Sequence, residues 1–402
     1  MGLSLYVHVP FCKRICTYCD FPRVLLPPGS GGSDSARGSG APGPADAGEA
    51  AATFSTMNAC LRRLPAAMRT EAVTTIFFGG GTPSCVPPGW IAGLLRTAHE
   101  IFQIEEGAEI SVEGNPEDIS PDWIRTLREA GVNRFSLGVQ SFSCAGPLGR
   151  RHTPQRAVEA VRQLREAGVV NLNLDLMFAL PGQGPAELER DLDQLIALQP
   201  EHVSCYGLTL APETPLARDY AAGLHTFPDD EAWLNLYRIV TERLEGAGYN
   251  QYEISNWARP GLECRHNLRI WEGADYVGTG PGAVSRWKRW RWTESADPAE
   301  YRRRAEGCAW PGEGPPPWAA VSDEVDARGA DIETLLTGTR LIRGFDLRRL
   351  AGALREDCIC DLRTKGLLWQ TGGRVGLTRP GLPLADSVLE QLVDALCGPE
   401  ES

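Results

Sequence analysis

What most constrains this chain is the regular alternation of short apolar runs with helical patterns. Segments 4–9 (SLYVHV), 74–78 (TTIFF), 109–113 (EISVE), 134–140 (RFSLGVQ), 171–178 (NLNLDLMF) and 202–209 (HVSCYGLT) are rich in β-branched, aromatic and apolar residues. Most end at Gly, Pro or polar clusters, as short buried strands do. Between them lie the helical patterns 90–102, 122–131, 157–168 and 187–198, the last with Leu188, Leu192, Leu195 and Ile196 at helical spacing. Strands alternating with helices predict a parallel sheet with crossover helices. Six such units fit an open, partial β/α barrel better than a closed eightfold one.

Two regions break the rhythm. Residues 28–53 are Gly, Ser, Ala and Pro with almost no apolar anchor, so we expect a disordered insertion there. The following MNACLRRLPAAMRT resumes as a helix interrupted at Pro65. In the tail, 331–345 and 346–356 read as helices, 369–378 as a hairpin around Gly372–Gly373, and LADSVLEQLVDAL as a final helix. That pattern predicts a C-terminal winged-helix-like α+β module. The expected division is 1–290 for the barrel, 291–330 for a connecting segment and 331–402 for the module.

The chain has 402 residues, a 42% hydrophobic content and a net charge of −12. That acidity argues against nonspecific nucleic-acid binding. No run of about 18 apolar residues predicts a membrane span. The opening MGLSLYVHVP has no charged n-region or cleavage site, so no signal peptide is expected. It does fit a myristoylation pattern, a reading that competes with the strand at 4–9. Twelve cysteines without a disulfide-scaffold pattern point to a reducing cytoplasm, where clustered cysteines bind metal or do redox work.

Three of those cysteines are clustered. Cys12, Cys16 and Cys19 form a CxxxCxxC array directly after the first strand, where a parallel barrel places its active-site loops. One reading is zinc, with His8 closing a Cys₃His site. The other is a cubane iron–sulfur cluster whose fourth iron stays open to a ligand. FFGGGTPS (77–84) follows the second strand, and successive glycines let a ligand approach the backbone closely. Glu113 ends strand three, Gln140 ends strand four and Asp175 lies within strand five. Polar residues on consecutive strand ends mark one shared ligand site.

A CxxxCxxC loop after strand one and a GGGTP loop after strand two resemble the radical S-adenosylmethionine (SAM) proteins. YVHVPFC, CDF, FFGGGTPS, GVQSF, GRRHT, DLMFALPGQ and YEISNWA, in that order, resemble the branch containing the oxygen-independent coproporphyrinogen dehydrogenase HemN and the heme chaperone HemW. The likeness runs from Tyr6 to about Ser285 and continues less sharply through GLLWQTGGRVGLTRPG. It implies a [4Fe–4S] cluster on Cys12, Cys16 and Cys19, with SAM chelating the open iron. It also implies a SAM site of Tyr6, Tyr18, Gly80, Gly81, Thr82, Glu113, Gln140, Arg150 and Asp175. Carbonyls around Gly80, Gly81 and Thr82 would accept from the SAM amino group, Glu113 from ribose hydroxyls, and Arg150 would pair with the carboxylate. The stretch before GRRHT is two residues shorter than usual, which leaves Arg151 as the alternative to Arg150.

Three features divide the branch. The dehydrogenases carry a fourth cysteine where this chain has Phe21, and an extension before strand one. ECRHNLRIW (263–271) resembles the CxHNxxYW motif of the chaperones, with Ile270 in place of Tyr. The resemblance implies a heme carrier that delivers to an acceptor protein. His266 is the candidate axial ligand, with Cys264 as the alternative. Trp271 and Ile270 would contact the porphyrin face, and Arg265 or Arg269 a propionate. The runner-up is radical-SAM decarboxylation of porphyrinogen propionates. A third reading, a nucleic-acid modifying enzyme, rests on SRWKRWRW (285–292); the alternation of Trp with Arg equally suits a half-buried strand.

Overall fold

The computed structural model describes residues 2–26, 47–143, 146–310, 312 and 314–397. Six parallel strands form its centre: β1 (Leu3–Val9), β2 (Ala72–Gly80), β3 (Gln103–Gly114), β4 (Arg134–Gln140), β5 (Leu172–Phe178) and β6 (His202–Gly207). They lie side by side in sequence order. Leu5 faces Ile76 and Val7 faces Phe78 across the first pair. Residues on both faces of these strands are buried, as crossover helices require.

The sheet does not close. On its β1 edge it continues through Tyr276–Thr279 in parallel, then Val284–Trp287, Trp290–Thr293 and Val321–Glu324 in antiparallel order. On its β6 edge Asn256–Ala258 and Asn250–Glu253 pair antiparallel. The expected open α/β architecture is therefore present. The Trp- and Arg-rich run 285–292 is the hairpin of the β1 edge. Trp287 and Trp292 are buried, and Arg286 and Arg291 both pair with Glu333, which gives these four side chains a structural role.

The crossover helices are Pro88–Ile101, Pro121–Glu129, Pro154–Glu166 and Pro185–Ala197. Each begins with proline, whose fixed φ suits the first helical position and whose missing N–H costs nothing there. Ser120 and Thr153 cap two of them by accepting from the amides of Trp123 and Arg156. Capping accounts for starts one to three residues ahead of the apolar periodicity.

Two expectations are corrected. Residues 47–53 belong to a helix, Ala47–Arg62, held by the buried side chains of Ala50, Phe54, Met57 and Leu61; residues 28–46 lie outside the described residues. Residues 331–356 do not form the two helices expected: the first runs Ala327–Gly338 and stops short of Phe345, and the only helical turn in 346–355 is a 3₁₀ turn at Leu347–Arg349. Phe345 and Asp346 pair with Val375 and Arg374, and the Asp331 carboxylate accepts from the amides of Ala351 and Gly352. The helix comes later, at Glu356–Thr364.

The tail otherwise follows the expected plan. Helices Ala327–Gly338, Glu356–Thr364 and Ala385–Asp394 surround a three-stranded antiparallel sheet of Phe345–Asp346, Arg374–Leu377 and Leu368–Thr371. Gly372 and Gly373 both have positive φ, which the two-residue hairpin turn demands. This unit packs on helix Arg265–Trp271. Arg340 lies 4.6 Å over the Trp271 ring and 3.2 Å from Glu253, and Arg343 pairs with Glu272.

Candidate functional site

The cysteine loop leaves β1 at Val9 and runs along the carboxyl ends of the parallel strands. Gly81 donates its amide to Val9 O at 2.8 Å. A Cβ there would stand 2.7 Å from Phe11 O, and one on Gly80 would stand 2.7 Å from the His8 ring. Gly80 also has φ of +107°, a region that penalises other residues. The GGGTP loop is thus pressed against the cysteine loop by contacts only glycine permits.

Together the two loops wall a cavity of about 390 Å³, within the range of small-molecule sites. Cys12, Cys16 and Cys19 line one side. Cys12 Sγ lies 3.3 Å from Thr82 Oγ1, and Arg150 Nη1 donates to Cys16 Sγ at 3.6 Å. Tyr18, Gly80, Gly81, Thr82, Glu113, Gln140, Arg150 and Asp175 line the same cavity. Of the SAM-site candidates only Tyr6 lies elsewhere, in an adjoining cavity.

The strand ends explain this convergence. The strand register shifts between Gly138 and Gln140, and Gln140 takes φ of +68°. Such a conformation costs a non-glycine residue about 1–3 kcal/mol. Arg150 is fixed by Asn115 Oδ1 at 2.8 Å and by Gly138 O. His152 anchors the same segment through Glu117 Oε2 and Val139 O. Arg150 rather than the exposed Arg151 therefore faces the cavity.

Burial pushes the Glu113 carboxyl up to about 8, aided by the nearby Asp175 and opposed by Arg134. Asp175 is raised as well, chiefly by burial. It accepts from Asn173 at 2.6 Å and Ser136 at 3.3 Å.

The donor set suits a cluster better than a single ion. Among the described residues no three His, Cys, Asp or Glu side chains converge on one metal position. His8 uses Nδ1 toward the Tyr6 hydroxyl at 3.1 Å and Nε2 toward Pro22 O at 2.8 Å. It is not placed to complete a Cys₃His zinc site. Thiolates that each hold a different iron need no common point. The bordering cavity leaves room for a ligand on a fourth.

A second cavity, of about 250 Å³, adjoins the first. Phe21, Gly80, Glu113, Asp175 and Tyr206 line both. Its inner wall carries His266, Ile270 and Asn267 from helix Arg265–Trp271, and Arg134 from β4. His266 is 2% exposed. Its Nδ1 hydrogen-bonds Thr75 Oγ1 at 2.9 Å, whereas its Nε2 has no partner. Phe77 stacks on the ring at 5.1 Å. Burial, reinforced by Arg134 and Arg269, lowers its pKa to about 3, so the imidazole is neutral near pH 7.

The other heme candidates sit outside this cavity. The Cys264 thiol donates to Glu109 at 3.5 Å and is raised to about 12 by burial. Trp271 packs under Arg340. Arg265 donates to Gly107 O, and Arg269 to Ser4 Oγ and Gly2 O. Neither lines either cavity.

The radical SAM superfamily model matches residues 6–195. The chain is 36% identical to the heme chaperone HemW of Mycobacterium tuberculosis, over 97% of this chain and 94% of that one. It is 30% identical to HemW of Bacillus subtilis, over 96% and 97%. The chain belongs to the HemW family. Its fold matches that of Escherichia coli coproporphyrinogen III oxidase HemN with a TM-score of 0.77, over 97% of this chain and 90% of that one. Identity is then 20%, so the likeness is one of architecture.

Within this HemW-family chain several lining residues escaped sequence reasoning. Asn115 donates to Thr82 Oγ1 at 3.3 Å and accepts from Arg150, linking two loops. Its signal was its place two residues past Glu113, just beyond the strand. Arg134 was visible as a charged residue opening an otherwise apolar strand. Tyr206, one residue before the end of β6, continues the row of strand-end side chains.

Proposed function

We propose that this protein is a heme chaperone: it binds heme, passes it to an acceptor protein, and carries a SAM-coordinated [4Fe–4S] cluster on Cys12, Cys16 and Cys19. The observation that carries the heme reading is the unpartnered Nε2 of a buried, neutral His266 facing a cavity. A buried nitrogen without a partner is costly; a ligand that accepts its lone pair removes that cost. With the proton on Nδ1 donated to Thr75, the lone pair sits on Nε2, the arrangement a metal-binding imidazole needs.

The resident cofactors fit the larger cavity. The three thiols supply the cluster's ligands, and when bound with SAM the cluster supplies one-electron chemistry. The chain's own residues do the positioning. Gly80 and Gly81 admit the ligand close to the backbone, Glu113 takes ribose hydroxyls, and Arg150 takes the SAM carboxylate while also touching Cys16. Phe21, 61% exposed, stands at the boundary of the two cavities. A reducing cytoplasm suits the cysteine loop, and no described helix is long and apolar enough to cross a membrane.

The second reading, a coproporphyrinogen dehydrogenase, shares the architecture. Phe21, an apolar side chain where the dehydrogenases carry a fourth cysteine, favours the carrier. Incubation of anaerobically reconstituted protein with coproporphyrinogen, SAM and reductant separates the two. The carrier reading expects no protoporphyrinogen, and expects heme-loaded protein to transfer heme to an apo-acceptor. Robust decarboxylation would reverse the assignment.

A further inference from the structure

Arg134 is a buried group whose chemistry the sites described above leave unused. It opens β4 and is 2% exposed. A buried guanidinium ordinarily has a carboxylate or several carbonyls against it, because its five N–H groups lose water. Here no acid lies within ion-pair distance of it among the described residues, no acceptor takes a hydrogen bond from it, and its Nε is buried without a partner. Glu109 and Asp175 lie near enough to favour its charge, yet neither pairs with it. Glu109 is occupied by the amides of Arg265 and His266, and Asp175 by Asn173 and Ser136.

The unused donors face a space. Arg134 lines the 250 Å³ cavity together with His266, whose Nε2 is likewise unpartnered. Two buried, unsatisfied groups of different chemistry therefore border one cavity. The remaining polar lining includes Ser136, Asn173 and Asn267, which add donors, and the carboxyls of Glu113 and Asp175, both pushed toward the neutral form by burial. The volume takes a short carboxylate arm and not a whole porphyrin.

We propose that Arg134 is a carboxylate-binding residue that anchors the acid arm of the ligand presented to His266. On the heme reading above, on which this identification of the arm rests, it receives one heme propionate, a role the sequence had assigned to Arg265 or Arg269. The guanidinium fork matches a carboxylate in two parallel hydrogen bonds. A propionate reaching inward at Arg134 would seat the porphyrin edge between Phe21 and Ile270. The arrangement selects ligands by their free acid and orients the macrocycle before iron meets nitrogen.

The test compares heme with its dimethyl ester, which keeps iron and ring but masks both acids. We expect the parent to prefer heme by roughly tenfold or more, the span of a charge-assisted pair. Arg134→Met should abolish that preference while leaving ester affinity and the Soret maximum unchanged. Arg134→Lys should retain part of the preference, which guards against a variant damaged only in folding. A preference that persists in Arg134→Met, or that the parent never shows, overturns the proposal. Sodium propionate as a separate probe keeps its fate distinct from that of the heme reading. It should raise the parent's melting temperature and not that of Arg134→Met. If heme fails to bind but this Arg134-dependent shift appears, the carboxylate site stands and the heme assignment falls. No shift in the parent counts against the site itself.

Discussion

Thr75 Oγ1 and His266 Nδ1 lie 2.9 Å apart, and that contact decides which imidazole nitrogen is left for a ligand. Thr75 sits on β2, whose carboxyl end carries the glycine loop. One strand therefore helps shape the larger cavity at its end and orients the heme candidate from its middle. Thr75→Val keeps the shape and removes the partner. Heme affinity should fall about fivefold, the worth of one hydrogen bond near 1 kcal/mol, with a mixture of imidazole tautomers visible by ¹⁵N NMR. Unchanged affinity and a single tautomer would show that Thr75 has no such role.

Replacing Cys12, Cys16 or Cys19 by Ala should abolish the visible absorption of the anaerobically reconstituted protein and the paramagnetic signal of its reduced form. Cys60→Ala and Cys85→Ala, buried in the hydrophobic core, should leave both intact. Stoichiometric zinc with no iron after reconstitution of the parent would defeat the cluster assignment.

Glu113 gives SAM binding a pH dependence. Its carboxyl titrates at about 8 in the free protein, and a cationic sulfonium favours the ionised form. Binding below that value must release a proton, so affinity should rise with pH, by about tenfold per unit at most, and level off above 8. The Asp175 carboxyl, Arg134 and the neutral His266 share the lining, so the midpoint belongs to the group rather than to Glu113 alone. Glu113→Gln should flatten the profile. Calorimetry in buffers of different ionisation enthalpy measures the released proton; a flat profile in the parent refutes the assignment.

Gly80→Ala should damage the site through geometry alone. The residue has φ of +107°, and its new methyl would meet the His8 ring at 2.7 Å. We expect a loss of about 1–3 kcal/mol in stability from the backbone alone, and weaker SAM binding as the loop moves. Gly93→Ala, on an open helix face with nothing within 4 Å, is the control and should be neutral or slightly stabilising.

The parts legible in the sequence were those governed by local pattern. All six central strands could be read because each is buried on both faces and bounded by turn residues. Leu188, Leu192 and Leu195 are buried on one helix face as their spacing indicated. The segment 346–356 misled because its helical spacing lost to two distant partners, Val375 and Asp331. Ala50 and Phe54 extend the buried face of helix Ala47–Arg62 upstream of Met57, where alanine and glycine neighbours diluted the pattern below recognition. Cys264 and Trp271 stand only two and five residues from His266 in sequence. Which of the three faces the cavity depends on Glu109 and Arg340, residues more than sixty positions away that no local motif contains. Arg134 went unread for the same reason: a charge at a strand start is ordinary until its lack of partners is visible.

Heme titration of the parent beside His266→Ala, followed through the Soret band, tests the central claim most directly. The parent should saturate at one heme per chain with a histidine-ligated spectrum, while His266→Ala should bind at least about tenfold more weakly or with a shifted maximum. Cys264→Ala should match the parent. A His266→Ala protein that keeps both the parent's affinity and its spectrum, or a parent that never saturates, would contradict the account.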